Sequence, residues 1–251
     1  MRTGVKTPIQ LQAMRDGGKI LAQIYKELRD FVQPGVSELE IDTWVEDKIH
    51  EYGATPAYKE PEVNFPGVIC ISVNDELVHS PPTDYKLEAG DKVGFDVAIT
   101  YKGMKVDSAF TMIVGEEPKG ALKHLLTTTE ESLYKGIDVL KDGVKVGDIG
   151  AAVEGTLKAG KLGIIRNYCG HGIGEKLHMP PQIPNYGTAG TGAVLKAGDT
   201  ICIEPMASLG KEQTYVTDDK WTVAMKDGSL CAHFEHTVLI TDDGYEILTQ
   251  L

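Results

Sequence analysis

The stretch Leu87-Glu88-Ala89-Gly90-Asp91 recurs 108 residues later as Leu195-Lys196-Ala197-Gly198-Asp199. The same offset relates Gly35-Val36 to Gly143-Val144, and each of these pairs is followed by apolar residues with helical spacing. The β-rich segments that follow the two longer stretches also align at this offset. Several matches at one offset indicate an internal repeat rather than chance similarity.

The repeat predicts how the chain is organised. Each copy contains two helical patterns followed by strands, which is typical of an α+β fold. We expect a single domain over residues 1–251, with approximate halves 1–115 and 116–251. The halves should be related by a pseudo-twofold axis around a shared antiparallel sheet. A functional site at their seam would draw residues from both.

Composition and charge narrow the class of protein. Of the 251 residues, 41% are hydrophobic and 25% charged, as in an ordinary globular chain. A net charge of −12 disfavours nucleic acid and anionic membranes as partners. No apolar run approaches the roughly 18 residues of a membrane span, and Met1-Arg2-Thr3-Gly4 leads into a polar helix without a secretory signal. Four widely separated cysteines argue against a disulfide framework, so we expect a cytoplasmic protein.

Two predicted strands carry an aspartate where a core strand should be apolar. Asp96 lies in the strand predicted over 91–100, and Asp107 lies in the strand predicted over 104–113. A turn centred on Tyr101-Lys102 would place the two carboxylates directly opposite each other, with Cβ atoms about 4.5–5.5 Å apart. Such a pair is unfavourable unless a cation lies between the carboxylates or one is protonated. The alternative is a longer loop, which would leave one aspartate facing water.

Further acids and one histidine extend this set. Glu204 occupies the repeat position of Asp96, and Glu235 precedes an apolar strand. His171 has a glycine on either side, which permits close backbone approach to a ligand. Each of these residues could instead have a structural role. Four carboxylates and one imidazole would balance the charge of two divalent cations and suit Co, Mn, Fe or Zn. Two such ions hydrolyse amides or phosphoesters, and the scarcity of nearby basic residues favours the amide.

The ordered motifs resemble those of one peptidase family. They are His79, Asp96, Asp107, Gly170-His171-Gly172-Ile173-Gly174, His178, Ile203-Glu204-Pro205-Met206 and Glu235-His236-Thr237. This set resembles the type I methionine aminopeptidases, in their short bacterial form, over nearly the whole chain. The resemblance implies the pita-bread fold and one catalytic domain. It also implies metal-dependent removal of the initiator methionine from nascent polypeptides, by a water or hydroxide that bridges two divalent cations.

The resemblance further implies how the two metals are held. Asp107 and Glu235 would bridge both metals, and Asp96 would complete the coordination of one. His171 and Glu204 would complete the coordination of the other metal. Glu204 would also accept the proton of the attacking water.

The remaining implied roles concern the substrate. His178 would stabilise the oxyanion, and His79 would contact the nitrogen that follows the scissile bond. The methionine side chain would lie in an apolar pocket, whose expected members are Tyr58, Phe65, Cys70, Leu177 and Trp221. Packing in the core is the alternative role for these pocket residues. The resemblance also implies a monomer that acts on nascent N-termini near the ribosome.

Three stretches depart from the family's usual pattern, and none contains a predicted metal ligand. They are Glu60-Pro61-Glu62-Val63-Asn64, Ser80-Pro81-Pro82 and Met179. The first makes the rim of the expected pocket negatively charged, so these departures concern substrate preference. Three other interpretations compete with the family assignment. They are a proline-specific aminopeptidase or dipeptidase of the same fold, a binding module that has lost catalysis, and a scaffold whose acids are solvated.

Overall fold

The computed structural model describes residues 6–251. These residues contain four α-helices: α1 (Pro8–Phe31), α2 (Glu38–Glu51), α3 (Gly120–Asp138) and α4 (Val146–Ala159). A single 3-10 turn spans Ala57–Lys59. None of these helices combines the length and apolarity needed to cross a bilayer. The predicted absence of a secretory signal concerns Met1 to Gly4, which lie outside the described residues.

Fifteen strands complete the described part of the chain. In the first half they are β1 (Thr55–Pro56), β2 (Cys70–Val73), β3 (Glu76–Val78), β4 (Lys92–Tyr101) and β5 (Met104–Ile113). In the second half they are β6 (Gly163–Ile164), β7 (Cys169–Gly172), β8 (Met179–Pro184), β9 (Thr200–Ile203), β10 (Met206–Ser208), β11 (Thr214–Val216), β12 (Val223–Met225), β13 (Cys231–His233), β14 (Glu235–Ile240) and β15 (Tyr245–Ile247).

The two helices of the first half each begin at a reciprocal pair of capping hydrogen bonds. The Thr7 hydroxyl accepts the Gln10 N–H at 3.3 Å, and the Gln10 side chain accepts the Thr7 N–H at 2.9 Å. Ser37 and Glu40 form the same reciprocal pair at the start of α2. Each arrangement satisfies two backbone donors that the first helical turn leaves free.

The internal repeat is visible in the backbone. Helix α4 begins and ends 108 residues after α2. The Gly35 N–H donates to the Leu87 carbonyl at 2.7 Å, and the Gly143 N–H donates to the Leu195 carbonyl at 2.9 Å. Both glycines have left-handed backbone angles, with φ of +95° and +86°. Equivalent residues therefore perform equivalent tasks, which confirms the two pseudo-twofold-related halves.

One nine-stranded antiparallel sheet joins the halves. Its order is β1-β4-β5-β14-β9-β7-β8, with β2 paired to β4 and β15 paired to β14. Strands β4 and β5 come from the first half, and β14 and β9 come from the second. The seam is the β5–β14 pair, where Ala109 opposes Glu235 and the Ser108 hydroxyl donates to the Glu235 carbonyl at 2.7 Å. Two three-stranded sheets, β13-β10-β6 and β11-β12-β3, complete the fold.

The large sheet has an apolar face and a polar face. Phe95, Val97 and Phe110 are buried on the apolar face, where the Phe110 ring packs edge-on against Tyr25 of α1 with ring centroids 4.8 Å apart. Alternation along β4 and β5 directs the intervening residues to the opposite face. The helices cover the apolar face, so the acids of the predicted site lie on the other one.

The β4–β5 hairpin corrects one expectation from the sequence. Its turn is Lys102-Gly103, not Tyr101-Lys102, and both turn residues are left-handed, with φ of +48° and +77°. Two consecutive left-handed residues form the tight turn that matches the twist of a hairpin, and glycine adopts this conformation without a steric penalty.

This register changes the relation between the two aspartates. Asp96 opposes Ala109, and Asp107 opposes Ala98. The carboxylates are therefore diagonal neighbours on one face, and the predicted directly opposed pair is wrong. Diagonal partners remain within reach of a common ion, so the interpretation of a shared cation survives the correction.

Candidate metal centre

A cavity of about 580 Å³ lies over the polar face of the sheet. Eleven of the twelve predicted site residues line it: Tyr58, Phe65, Cys70, His79, Asp96, Asp107, His171, His178, Glu204, Trp221 and Glu235. They come from both halves of the chain, as expected for a site at the seam. The cavity thus brings together residues that lie far apart in sequence.

Three of the predicted ligands are deeply buried carboxylates on adjacent strands. Asp96 of β4, Asp107 of β5 and Glu235 of β14 have exposed fractions of 8%, 4% and 2%. Across residues 6–251, no lysine or arginine forms an ion pair with any of them. Burial, followed by the negative charge of Asp96, raises the pKa of Asp107 well above its usual value. Burial and Asp107 likewise raise the pKa of Glu235. The cluster lacks a compensating cation.

Glu204 follows β9 and has a different environment. Burial acts to raise its pKa, but the nearby histidines outweigh burial, His233 first among them, and the pKa of Glu204 is lowered. His233 Nε2 lies 3.4 Å from Glu204 Oε2 and 3.8 Å from Glu235 Oε2. His233 was not predicted as a site residue. Its position two residues before Glu235, on the same side of an extended chain, is the signal that could have indicated it.

His171 of β7 is oriented as a metal ligand would be. Its Nδ1 donates to the Gly172 carbonyl at 3.0 Å, which leaves Nε2 free, 3.9 Å from Asp107 Oδ2. Burial lowers the pKa of His171, so the imidazole is neutral and can offer a lone pair. A backbone contact that fixes the tautomer of a ligating histidine is the usual second-sphere arrangement.

The donor set fits divalent cations. Ligand atoms of Asp107, His171, Cys202 and Glu235 all lie within 4.8 Å of one another, as do those of Glu204, His233 and Glu235. Glu235 Oε1 is buried and has no hydrogen-bond partner, so a coordination position is open there. Carboxylate oxygens with imidazole nitrogen suit the borderline divalent metals. Cys202 was not predicted to lie this close, and its thiol contacts Thr237 Oγ1 at 3.5 Å.

An aromatic wall adjoins the acids. Phe65 packs edge-on against Tyr58 and Trp221, with ring centroids 5.8 Å and 5.3 Å apart. The Tyr58 hydroxyl donates to Asp96 and lies 3.3 Å from Asp107 Oδ1, so this residue contacts the ligands as well as the pocket. Apolar side chains beside a metal cluster form a suitable recess for an apolar substrate group.

One predicted pocket residue is placed elsewhere. Leu177 is completely buried in the core and does not line the cavity, although the next residue, His178, does. The chain bends through residues 174–178, and the two adjacent side chains take different directions there. Further lining residues were not predicted: Val63, Val78, Asn167, Tyr168, Cys169, Met179, Pro180, Gln182 and Met206. Val63, Asn167 and Tyr168 lie in connections, where periodicity gives no signal, and the others lie in short strands of three to six residues.

Two histidines face the cavity from different halves. His79 follows β3 with a left-handed φ of +61°, which is uncommon for a residue with a side chain. Its ring opens into the cavity but is otherwise enclosed by protein, and this partial burial lowers the pKa of His79. The His178 ring packs edge-on against His171, with ring centroids 4.5 Å apart. Both histidines are therefore close to the ligand cluster.

Gly170 supports His171 through strand packing. A Cβ added at Gly170 would lie 2.1 Å from the Cys202 carbonyl on β9. The sequence interpretation, that glycine here allows close approach to a ligand, is therefore incomplete, because the close neighbour is a strand.

We expect Gly170→Ala to force β7 away from β9, costing about 1–3 kcal/mol of folding free energy and weakening metal binding at His171. Denaturant melts and metal titrations measure both effects. Gly155→Ala is the control, since Gly155 lies on the exposed face of helix α4 and its added Cβ has no neighbour within 4 Å. Equal stability of the two variants would contradict this role of Gly170.

Comparisons with known proteins agree with this geometry. Metallopeptidase family M24 matches residues 12–242. A methionine aminopeptidase of Mycoplasma capricolum is 42% identical over 246 residues, 98% of each chain. The crystal structure of a methionine aminopeptidase from Thermotoga maritima superposes with a TM-score of 0.94 at 42% identity, covering 98% of this chain and 99% of that one. These likenesses confirm the predicted pita-bread fold.

The fold extends to more distant enzymes. Prolidase from Pyrococcus furiosus has a TM-score of 0.77 at 23% identity, and the match covers 98% of this chain and 65% of that one. Identity at this level shows a common architecture alone. The chain is similar in both sequence and structure to the methionine aminopeptidases.

Proposed function

Because the chain belongs to metallopeptidase family M24, among its methionine aminopeptidases, we propose that its ligand cluster holds two divalent cations. The proposed ligands are Asp96, Asp107, His171, Glu204 and Glu235. The observation that carries the proposal is a group of four carboxylates at the seam with no lysine or arginine paired to them in residues 6–251. Their charge matches that of two divalent ions, among which Co, Mn, Fe and Zn suit these donors.

The strand order bears on which ligands contact one metal and which contact both. Across β4, β5, β14, β9 and β7, the ligands follow in the order Asp96, Asp107, Glu235, Glu204 and His171. Glu235 is central in this order and belongs to both groups of close ligand atoms, so it can reach two ions. We assign it a bridging role on this ground, and we assign the second bridging role to Asp107 from the family resemblance.

The catalytic roles follow from position and charge. Two divalent cations held by these ligands would lower the pKa of a bound water and polarise the scissile carbonyl. Glu204, which lines the cavity beside the other ligands, accepts the proton of the attacking water. His178 donates a hydrogen bond to the developing oxyanion, and His79 contacts the nitrogen beyond the scissile bond. Tyr58, Phe65, Cys70 and Trp221 enclose the methionine side chain.

The biological setting is part of the same proposal. The substrates are the N-termini of nascent proteins, which a monomeric enzyme meets near the ribosome in the cytoplasm. All four cysteines are free thiols, as a reducing compartment requires. We further infer that residues 1–251 act as one catalytic domain, since both halves contribute ligands.

Metal counting and substrate choice test the proposal together. Protein stripped by a chelator should lose activity and recover it at two metal equivalents per chain, as measured by elemental analysis during reconstitution. The reconstituted enzyme should cleave Met-Ala-Ser and leave Ala-Pro-Ala intact. Recovery of full activity at one equivalent would refute the dinuclear centre. Equal release of N-terminal Met, Lys and Glu would refute the pocket assignment.

A further inference from the structure

Lys105 is a buried cation that the proposed chemistry does not use. It is the second residue of β5, and 5% of its side chain is exposed. Its Nζ lies 2.6 Å from Glu60 Oε2, 3.2 Å from Thr100 Oγ1 and 3.7 Å from Glu62 Oε1. A buried ammonium is tolerated only when such partners are held around it, so these contacts fix the partners in place.

The Glu60 contact positions one wall of the cavity, formed by residues 60–65. The N–H groups of Val63 and Asn64 donate to the Glu60 carbonyl at 3.0 Å and 2.8 Å, and Asn64 is left-handed with φ of +55°. This tight fold directs Val63 and Phe65 into the cavity. The position of Glu60 therefore determines the positions of the Val63 and Phe65 side chains.

The same cluster reaches a second wall segment, residues 174–178, of which His178 lines the cavity. The Leu177 N–H donates to Glu62 Oε1 at 3.1 Å, and the Lys105 N–H donates to the Gly174 carbonyl at 2.7 Å. His178 follows directly and lines the cavity. Lys105 thus contacts one wall through its side chain and the other through its backbone, and Glu62 links both.

We propose that Lys105 is a positioning residue for methionine release, and that with Glu60 and Glu62 it sets the width of the methionine-binding cavity. These three residues are called the wall clamp. The inference rests on the proposed function, which assigns the cavity to the methionine side chain. Without the wall clamp, the walls separate and the cavity widens. The wider cavity binds the methionine side chain more weakly and excludes branched side chains less effectively.

Glu62→Ala and Lys105→Met test the clamp in the metal-loaded enzyme. We expect the KM for Met-Ala-Ser to rise about fivefold or more. The preference for Met-Ala-Ser over Leu-Ala-Ser in kcat/KM should narrow about tenfold, since shape discrimination between apolar side chains is of this order. Glu62→Gln keeps an acceptor for the Leu177 N–H and should restore most of the preference. Metal content should stay at the wild-type value.

Lys102→Met is the matched control. Lys102 lies in the turn of the same hairpin, with 64% of its side chain exposed, and should affect neither KM nor preference. Unchanged KM and preference in Glu62→Ala, with or without a lower Tm, would overturn the clamp. That variant decides the matter if Lys105→Met does not fold.

Calorimetric binding of free methionine and leucine separates the clamp from the proposed function. A wild-type enzyme that binds methionine with a clamp-dependent preference, yet releases none from peptides, would refute the proposed function and uphold the clamp. Binding preferences that are equal in wild type and Glu62→Ala would refute the clamp even if peptide cleavage is normal.

Discussion

Asp107→Asn should abolish methionine release, by about 10³-fold or more, while the metal-free variant stays at least as stable as metal-free wild type. Asparagine has nearly the same shape but lacks the charge and one of the two anionic oxygens needed to bridge two cations. Activity and metal affinity should therefore fall together. The stability of the metal-free protein, in contrast, should not fall.

The stability argument starts from the environment of Asp107. The Tyr58 hydroxyl donates to Asp96 and lies 3.3 Å from Asp107 Oδ1, so the two carboxylates are close neighbours. At an effective dielectric constant of about 20, two unit charges about 6 Å apart repel by about 3 kcal/mol. Burial and Asp96 both raise the pKa of Asp107, so the metal-free fold favours a neutral side chain there. Asparagine is a neutral side chain at every pH.

Denaturant melts in chelator, with metal titration in parallel, measure this outcome. If Asp107 served the fold through a salt bridge, its replacement would cost more than about 1 kcal/mol. A metal-free Asn variant that is clearly less stable than metal-free wild type would therefore show that Asp107 stabilises the fold even without metal. Adding metal should raise the Tm of wild type much more than that of the variant, because binding stabilises only the folded state.

His178→Ala should lower kcat by about 10²-fold or more, the scale for loss of an oxyanion donor, and leave the metal content unchanged. His178 opens into the cavity and was assigned to the substrate, whereas the neighbouring His171 has its Nδ1 committed to the Gly172 carbonyl. His171→Ala should instead lose metal. The two imidazoles are only 4.5 Å apart between ring centroids, so the pair forms a stringent comparison.

Elemental analysis and steady-state kinetics on both variants separate the assignments. Loss of metal from His178→Ala with retention in His171→Ala would reverse them. Excess metal provides a further check. It should restore part of the activity of His171→Ala by mass action and none of that of His178→Ala, since the latter lacks no ligand.

The acids that line the cavity could be singled out from the sequence because their signal was chemical. Asp96 and Glu204 stood out as acids in apolar strands at repeat-related positions, and the structure brings both to one cavity. Such residues are costly inside a core without a partner, so their presence alone is informative. The assignment of individual ligands to individual metals remains a proposal.

The register and the pocket were harder to predict, for local geometric reasons. A shift of the turn from Tyr101-Lys102 to Lys102-Gly103 changed which residues oppose Asp96, and hydrophobic alternation alone does not fix the length of a hairpin turn. Leu177 was placed in the pocket although its side chain is in the core. His233 is not predicted as a site residue, because its only signal is its position two residues before Glu235, and that signal gains meaning only once Glu235 is identified as a ligand.

The position of the seam has a consequence for the order of events during synthesis. The site requires β14, which lies near the end of the described chain, to pair with β5 from the first half. Contacts between residues so distant in sequence give the site a high contact order, and they form late because a large loop must close first. A ribosome-bound fragment that ends before β14 lacks Glu235 and has no complete site. Each new copy of the enzyme therefore becomes competent to bind metal only after β14 has been synthesised and has paired with β5.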